Sequence, residues 1–312
     1  MTASSFLRFF LPGSLALTAV LGLLPACDVI DNPVPPQTVS NAARSDTARL
    51  DSAEAQWLAL PGHNVARQRV LLEDYTGHTC GNCPRAAEKA HELQRQFGDT
   101  LVVVATHVGY FADTTKPGYR YDFRTAAGNE LNTVFSVDNF GLPQGMVNRA
   151  PVPGAAQPVV PIASWLPQVI AQASRPPQQQ LVVTALRSGA DGVIVKVSAK
   201  YLAASTGTYR LVLNYVEDSL TSQQKDYSLP APSDIPKYLH QHILRYAPLG
   251  TFGEVNATAP AEGYTVNRYV RYPLPAQPWA RRPAHLVAYL LDAYGPSAKD
   301  WRVVQVAQTK LK

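Results

Sequence analysis

Two cysteines separated by two residues are the side chains of this sequence best suited to covalent chemistry. They lie in the segment Thr79-Cys80-Gly81-Asn82-Cys83-Pro84. If a helix begins here, its unpaired N–H groups and positive dipole end stabilise a thiolate on Cys80. Cys83, one helical turn later, can then attack a mixed disulfide on Cys80 and release the bound product. The spacing therefore predicts reversible disulfide exchange.

The flanking residues predict the strand and the helix that this chemistry requires. A β-like run occupies residues 69–75, and apolar residues recur at helical spacing over residues 83–97. Pro84 fits the first turn of a helix, where its missing N–H group costs nothing. The cysteine pair would then lie where a strand passes into a helix.

The rest of residues 64–175 continues this alternation of strands and helices. We expect strands at 101–105 and 146–148, and helices at 129–137 and 162–173. Such an order predicts an α/β layer fold whose sheet is covered on its faces.

Residues 176–312 have a different pattern, because short strands separated by turn residues replace the helices. Seven strands in this range predict an antiparallel β-sandwich of the Ig-like type. We therefore expect an α/β domain followed by an all-β domain. The predicted strands are 181–186, 193–201, 209–216, 242–246, 264–274, 285–291 and 302–309.

The N-terminus has the features of a segment that directs secretion. Residues 1–26 carry one charge, Arg8, and a long apolar stretch, which is typical of a signal peptide. The following Leu24-Pro25-Ala26-Cys27 resembles the lipobox of bacterial lipoproteins. That resemblance implies acylation of Cys27 and attachment to a membrane through several acyl chains. The alternative is an ordinary secretory signal with a chance cysteine.

Composition narrows the remaining classes of protein. The chain of 312 residues is 46% hydrophobic and 16% charged, which excludes wholesale disorder and a coiled coil. Its net charge of +5 is not gathered into a basic run, so nucleic acid is not an expected partner. Residues 27–63 are rich in Pro, Ser, Asn and Ala and predict a flexible tether between the anchor and the folded part.

The cysteine pair and two further features together resemble the thioredoxin-like superfamily. Asp74 precedes Cys80 by six residues, and Gly141-Leu142-Pro143 comes just before a predicted strand. The resemblance implies that Cys80 is the nucleophile and Cys83 the resolving thiol, and that the two form a disulfide. It also implies that Asp74 accepts a proton from Cys83, and that Pro143 is a cis-proline on the surface that meets partner peptides.

A narrower resemblance covers residues 66–312. The segment 70–84, together with Asn148-Arg149 and residues 240–245, is similar to the outer-membrane-protein-28 family of Bacteroidetes lipoproteins. That family implies a thioredoxin-like domain, a β-rich C-terminal domain and attachment to the outer membrane, on the periplasmic or the cell-surface face. It implies no established reaction, cofactor or metal.

These features leave two functions open. The first is thiol–disulfide exchange on envelope proteins, which are the expected thiol or disulfide substrates. The second is a non-enzymatic surface lipoprotein that binds a ligand or adheres to a host surface, in which the Cys80–Cys83 bridge only holds a turn. A zinc site at the dithiol would need two further ligands, for which His78 and His107 are conceivable.

Three histidines and Asp74 each have two possible roles. His78 could stabilise a thiolate by its charge, or it could be a loop histidine packed on the turn. His240 and His242 would share one face of a strand, a spacing that can hold a metal but that also suits hydrogen-bonded structural histidines. Asp74 could likewise be a structural carboxylate bonded to Thr76 or Tyr75.

Overall fold

In a computed structural model of the chain, the residues around the cysteine pair form a strand followed by a helix, as predicted. The structure describes residues 41–188, 192–274, 283–293 and 301–311. The predicted signal peptide over residues 1–26 and the predicted lipidation site at Cys27 lie outside the described residues. Within the described ranges, no helix is both long enough and apolar enough to cross a membrane.

The fold is mixed α/β, with few helices and several sheets that are mostly antiparallel. The helices are α1 (Asn41–Leu58), α2 (Cys83–Phe97), α3 (Ala126–Phe135) and α4 (Trp165–Ala173). The strands are β1 (Val70–Thr76), β2 (Leu101–His107), β3 (Gln144–Val147), β4 (Gln179–Ser188), β5 (Gly192–Tyr201), β6 (Thr208–Glu217), β7 (Leu220–Lys225), β8 (Asp234–His240), β9 (Ile243–Tyr246), β10 (Glu254–Thr258), β11 (Thr265–Pro273), β12 (Ala284–Ala293) and β13 (Trp301–Lys310).

The largest sheet contains strands from both halves of the chain. Its order is β13-β12-β6-β9-β2-β1-β3, and β10 pairs with β6. Strand β1 is parallel to β2 and antiparallel to β3. The halves join where Ala105 of β2 pairs with Ile243 of β9, beside a hydrogen bond of 2.7 Å from the Ala105 N–H to the His242 carbonyl.

The described residues from Asn41 onward belong to one compact unit. Strands from before and after residue 176 share the largest sheet. The division into two domains at that residue stays a prediction.

The second sheet, β11-β5-β4, packs against one part of the large sheet. Alternate residues of β6 and β12, such as Leu213 and Leu286, face Val195 and the other inward side chains of the second sheet. The intervening residues, such as Val212 and Val287, face a second apolar cluster on the opposite side. This alternation follows from the period of two in a strand and buries the large sheet on both faces.

Helices cover the part of the large sheet that carries the cysteine pair. Helix α2 and helix α4 pack on the face of β1 that includes Leu72, through Leu93 and Trp165. Helix α3 packs on the opposite face, where Phe135 meets Tyr75. Because both faces are covered, all seven residues of β1 are buried.

Helix α1 occupies residues that the sequence analysis assigns to a flexible tether. Acidic side chains hold it against the second sheet, since Lys196 of β5 pairs with Asp51 at 2.6 Å and with Glu54 at 2.5 Å. Asp46 pairs with Arg271 of β11 at 2.9 Å, and Leu50 is fully buried. The helix is attached mainly by ion pairs, so its sequence lacks the apolar periodicity by which helices are recognised.

A buried ion pair connects β1 to the end of β3. Arg149 donates from Nε and Nη2 to both carboxylate oxygens of Glu73, at 2.8 and 2.7 Å. Its Nη2 also donates to the Tyr289 hydroxyl of β12 at 3.1 Å. The two charged side chains are 0% and 3% exposed, so neither is stabilised by water if its partner is lost.

We predict that Arg149→Met lowers the free energy of unfolding by about 3–5 kcal/mol, because it leaves the Glu73 carboxylate buried and unpaired. The double variant Glu73→Gln/Arg149→Met should be less destabilised than Arg149→Met alone. Urea unfolding measures both values.

The matched control is Arg124→Met, which removes a pair with Asp122 whose side chains are 32% and 51% exposed. Such exposed pairs contribute about 1 kcal/mol or less. Equal destabilisation by Arg149→Met and Arg124→Met would contradict the importance of the buried pair.

Candidate functional site

The cysteine pair lies in the loop between β1 and α2. Cys80 and Cys83 form the predicted disulfide, with a Cα–Cα distance of 5.4 Å. Helix α2 begins at Cys83, whose N–H donates to the Cys80 carbonyl at 3.2 Å, and Pro84 lies in the first turn. Residues 77–83 are called the dithiol loop below.

One side of the dithiol loop contacts the segment that follows β2. The Phe111 carbonyl accepts hydrogen bonds from the N–H and the hydroxyl of Thr79, at 3.0 and 3.1 Å. A Cβ atom at Gly77 would lie 2.5 Å from the Phe111 backbone, so a glycine is required for this close approach. These contacts fix the path of the chain into Cys80.

The other side of the dithiol loop is covered by the β7–β8 hairpin. The N–H groups of Lys225 and Tyr227 donate to the carbonyls of His78 and Gly81, each at 2.8 Å. The buried Gln224 amide donates to the Cys80 carbonyl at 3.1 Å.

The Tyr227 ring lies against Gly81, where a Cβ atom would come within 2.3 Å of the ring. Both cysteines are consequently only 2% exposed. We call residues 224–227 the cap.

Asp74 is buried on the face of β1 that carries α2. A cavity of about 40 Å³ is lined by Asp74, Cys83, His107, Gln224 and His240, among other side chains. Burial raises the pKa of Asp74 to about 7, and its Oδ1 atom has no hydrogen-bond partner. The cavity has room for a water molecule. A carboxyl group whose pKa lies near 7 therefore lines the same small pocket as Cys83.

The alternative role of Asp74 was a structural carboxylate that accepts a hydrogen bond from Thr76 or Tyr75. The contacts of its Oδ1 atom do not support this role. That atom accepts no hydrogen bond from either residue.

The rings of His78, His107 and His240 surround Phe123 beside this cavity. The ring of His107 stacks on Phe123 at a centroid distance of 4.3 Å, and the ring of His240 lies 4.5 Å from it. Burial lowers the pKa of His240 to about 3 and that of His107 well below its ordinary value. Both rings are therefore neutral at pH 7.

His78 is a packed loop histidine. Its side chain is fully buried, its Nε2 atom donates to the Asp113 carbonyl at 2.9 Å, and burial lowers its pKa. A neutral ring in this position supports the packing role and not the stabilisation of a thiolate by charge.

The expectation that His240 and His242 share one strand face was wrong. Strand β8 ends at His240, and His242 lies in the turn before β9 with a φ of 56°. His242 instead lies 3.2 Å from the Asp218 carboxylate and 2.9 Å from the Gln94 side chain. In the described part of the chain, no group of three or more His, Cys, Asp and Glu side chains is arranged to hold a metal ion.

Pro143 lies at the edge of the sheet from which the dithiol loop leaves. The Leu142–Pro143 peptide bond is cis, and the next residue, Gln144, pairs with Tyr75 at the end of β1. Its role in binding a partner peptide stays a prediction.

The cap, which covers one side of the dithiol loop, was not predicted from the sequence. Its strand β7 is almost entirely polar, and residues 226–233 connect it to β8. The signal that could have revealed a turn is the Pro- and Ser-rich run Ser228-Leu229-Pro230-Ala231-Pro232-Ser233.

A comparison with models of protein families finds one family that matches this chain. The family model described as outer membrane protein Omp28 matches residues 130–312, more than half of the sequence. The chain belongs to the Omp28 family. The predicted family and the predicted outer-membrane location are both confirmed.

Solved structures resemble this Omp28 family protein at low sequence identity. HBP35 of Porphyromonas gingivalis is 16% identical with a TM-score of 0.56, and the match covers 79% of this chain and 76% of that one. This likeness shows a shared fold.

Two further matches are a protein of Agrobacterium tumefaciens and a domain of the outer membrane lipoprotein Omp28 from Porphyromonas gingivalis. The first is 14% identical with a TM-score of 0.48, covering 78% of this chain and 95% of that one. The second is 14% identical with a TM-score of 0.28, covering 44% and 91%. No curated protein matches the sequence.

We predict that Asp74→Asn stabilises this Omp28 family protein above neutral pH. Because burial raises the pKa of Asp74 from 3.8 to about 7, the protonated form is favoured in the folded state. The stability that Asp74 contributes is complete below pH 4 and is lost as the pH rises through 7. The gain from Asp74→Asn should be about 2–4 kcal/mol at pH 8 and close to zero at pH 4.

Urea unfolding of the oxidised protein at both pH values measures this difference. Asp138→Asn removes one exposed carboxylate and is the matched control for the loss of a negative charge. A pH-independent effect of Asp74→Asn would contradict the burial argument.

Proposed function

We propose that this Omp28 family protein carries out thiol–disulfide exchange on proteins of the cell envelope. The observation that carries the proposal is the shared cavity of Cys83 and the unpaired Asp74 carboxyl group. A group with a pKa near 7 can take up or release a proton at neutral pH, as an exchange reaction requires. A bridge that only held a turn would have no use for such a neighbour.

In the proposed reaction, Cys80 carries the bond to the partner and Cys83 resolves it. Cys80 precedes α2, whose N-terminal N–H groups favour a thiolate on the adjoining loop. Cys83 lies inside α2 next to the cavity, where Asp74 exchanges a proton with its thiol. Pro143 belongs to the surface that the partner meets.

The arrangement around the site supports a thioredoxin-like domain within this fold. The order β1, α2, β2, α3, cis-Pro143 and β3 places the dithiol loop and the proline at one edge of a sheet with helices on both faces. Strands β4 to β13 then supply the proposed antiparallel sandwich, in which β4, β5 and β11 face β6 and β12.

We place the protein on the outer membrane through a lipid anchor at Cys27. The lipobox-like sequence before this cysteine supports the anchor, and the family supports the membrane. Metabolic labelling with a radioactive fatty acid tests it, because Cys27→Ser should abolish the label while unchanged labelling would contradict the anchor.

One observation favours the alternative of a structural bridge in a ligand-binding surface protein. Both cysteines are 2% exposed beneath the cap, so a thiolate from solution does not reach them in this conformation. The bridge, however, joins residues only three apart in sequence. Closing so short a loop removes little entropy from the unfolded chain, so stabilisation alone is a weak reason for it.

We predict that Cys83→Ser, expressed in the native host, accumulates mixed disulfides on Cys80, because no resolving thiol remains to release the partner. Non-reducing electrophoresis after acid trapping, followed by mass spectrometry, identifies the linked proteins.

The matched control is Cys80→Ser, which retains the buried Cys83 and should trap far fewer partners. Equal absence of mixed disulfides in both variants would contradict exchange and support the structural bridge.

A further inference from the structure

The cap contacts the dithiol loop in the manner of a bound peptide. Lys225 and Tyr227, two residues apart, donate backbone hydrogen bonds of 2.8 Å to carbonyls of the loop, at His78 and Gly81. Peptides that are recognised through their main chain are bound by backbone hydrogen bonds of this kind. The side chain of Asp226, which lies between Lys225 and Tyr227, accepts hydrogen bonds from the N–H and the hydroxyl of Ser228 and makes no contact with the loop carbonyls.

We propose that the dithiol loop is a docking site for an extended, cysteine-containing segment of a partner protein, and that the cap occupies this site in the resting protein. The inference rests on the proposed exchange function and adds to it the form of the substrate. The segment replaces the cap, takes over the carbonyls of His78 and Gly81, and thereby brings its own cysteine to Cys80.

The cap is attached by contacts that can be exchanged. The Lys225 ammonium pairs with Asp234 at 3.0 Å, with side chains that are 28% and 23% exposed. Asp234 also accepts a hydrogen bond from the Tyr119 hydroxyl. This pair joins register partners of β7 and β8 within one hairpin, so the cap is held on the dithiol loop mainly by its main-chain hydrogen bonds, which the main chain of a partner can replace. The buried amide of Gln224 is the exception, since it donates to the Cys80 carbonyl.

Exposed apolar side chains near the dithiol loop indicate the chemistry of the partner. Tyr227 and Leu229 lie on the cap and its connection to β8, Tyr110 precedes the segment that contacts Thr79, and Phe140 precedes the Pro143 turn. They are 62%, 42%, 66% and 54% exposed, respectively. Large exposed apolar side chains on neighbouring segments are typical of binding surfaces. We therefore expect a partner segment with apolar residues on both sides of its cysteine.

The exchange that follows docking is balanced in atoms and electrons. The thiolate of the segment attacks Cys80 Sγ, and the electrons of the Cys80–Cys83 bond leave on Cys83 Sγ, which takes up a proton. The thiolate of a second partner cysteine then attacks the sulfur of the first partner cysteine in the mixed disulfide, and Cys80 leaves as a thiolate. One protein disulfide is thereby reduced, and two partner thiols are oxidised to one disulfide. The reverse sequence oxidises the protein.

Reduction of the purified protein by a synthetic peptide tests the docking site. The probe is a decapeptide with two cysteines flanked by leucine and tyrosine, and a serine version of it is the inert control. We expect Tyr227→Ala and Gln224→Ala to raise the rate constant for reduction roughly tenfold, because each removes a contact that keeps the cap closed. Tyr264→Ala removes a tyrosine that is 50% exposed and directly precedes β11 of the second sheet. It should leave the rate constant unchanged.

Equal, measurable rates in the wild type and in both cap variants would overturn the docking site and leave the exchange function standing. An absence of reduction in every variant would overturn both.

A second measurement does not depend on the stability of the cap variants. In Cys83→Ser joined to the peptide through Cys80, hydrogen exchange should show that the amides of Lys225 and Tyr227 have lost their protection. Full protection of both amides in the mixed disulfide would overturn the proposal.

Discussion

The buried ion pair between Glu73 and Arg149 is the interaction on which the packing of the central strands depends. It ties β1 to the end of β3 and, through Tyr289, to β12 of the C-terminal half. Because β1 is buried on both faces, its neighbouring carboxyl groups point in opposite directions. Glu73 is neutralised by Arg149, whereas Asp74 has no such partner and its pKa is raised by burial. One strand thus carries an ion-paired carboxylate on one face and a carboxyl group with a raised pKa on the other.

The covering of the dithiol loop depends on the C-terminal half. The hairpin that contributes Gln224 and His240 to the cavity lies between β6 and β9, the strands through which the large sheet extends to β2. The Cys80 carbonyl thus accepts a hydrogen bond from Gln224, which lies 144 positions away in the sequence. This arrangement explains how a buried disulfide is compatible with exchange, provided that the cap opens for a partner.

The sequence predicted those elements whose signals are local. The β-like run before the cysteines and the helical spacing after Cys83 led to β1 and α2, and the alternation in β5 and β6 was equally clear. Helix α1 and the β7–β8 hairpin were missed, since ion pairs and backbone hydrogen bonds hold them and leave no apolar pattern. The pairing of Ala105 with Ile243 was also beyond prediction, because register between distant strands is set by tertiary packing. Asp74 was identified from its spacing to Cys80, but its raised pKa follows from burial, which the local sequence does not show.

The reduction potential of the Cys80–Cys83 bond tests most directly whether the bridge turns over. It is measured by equilibrating the protein with glutathione buffers of known poise and counting the free thiols trapped with an alkylating agent. We predict a reduction potential above about −300 mV, within the range of disulfides that exchange with cellular thiols. A value well below about −300 mV, as structural bridges have, would contradict it.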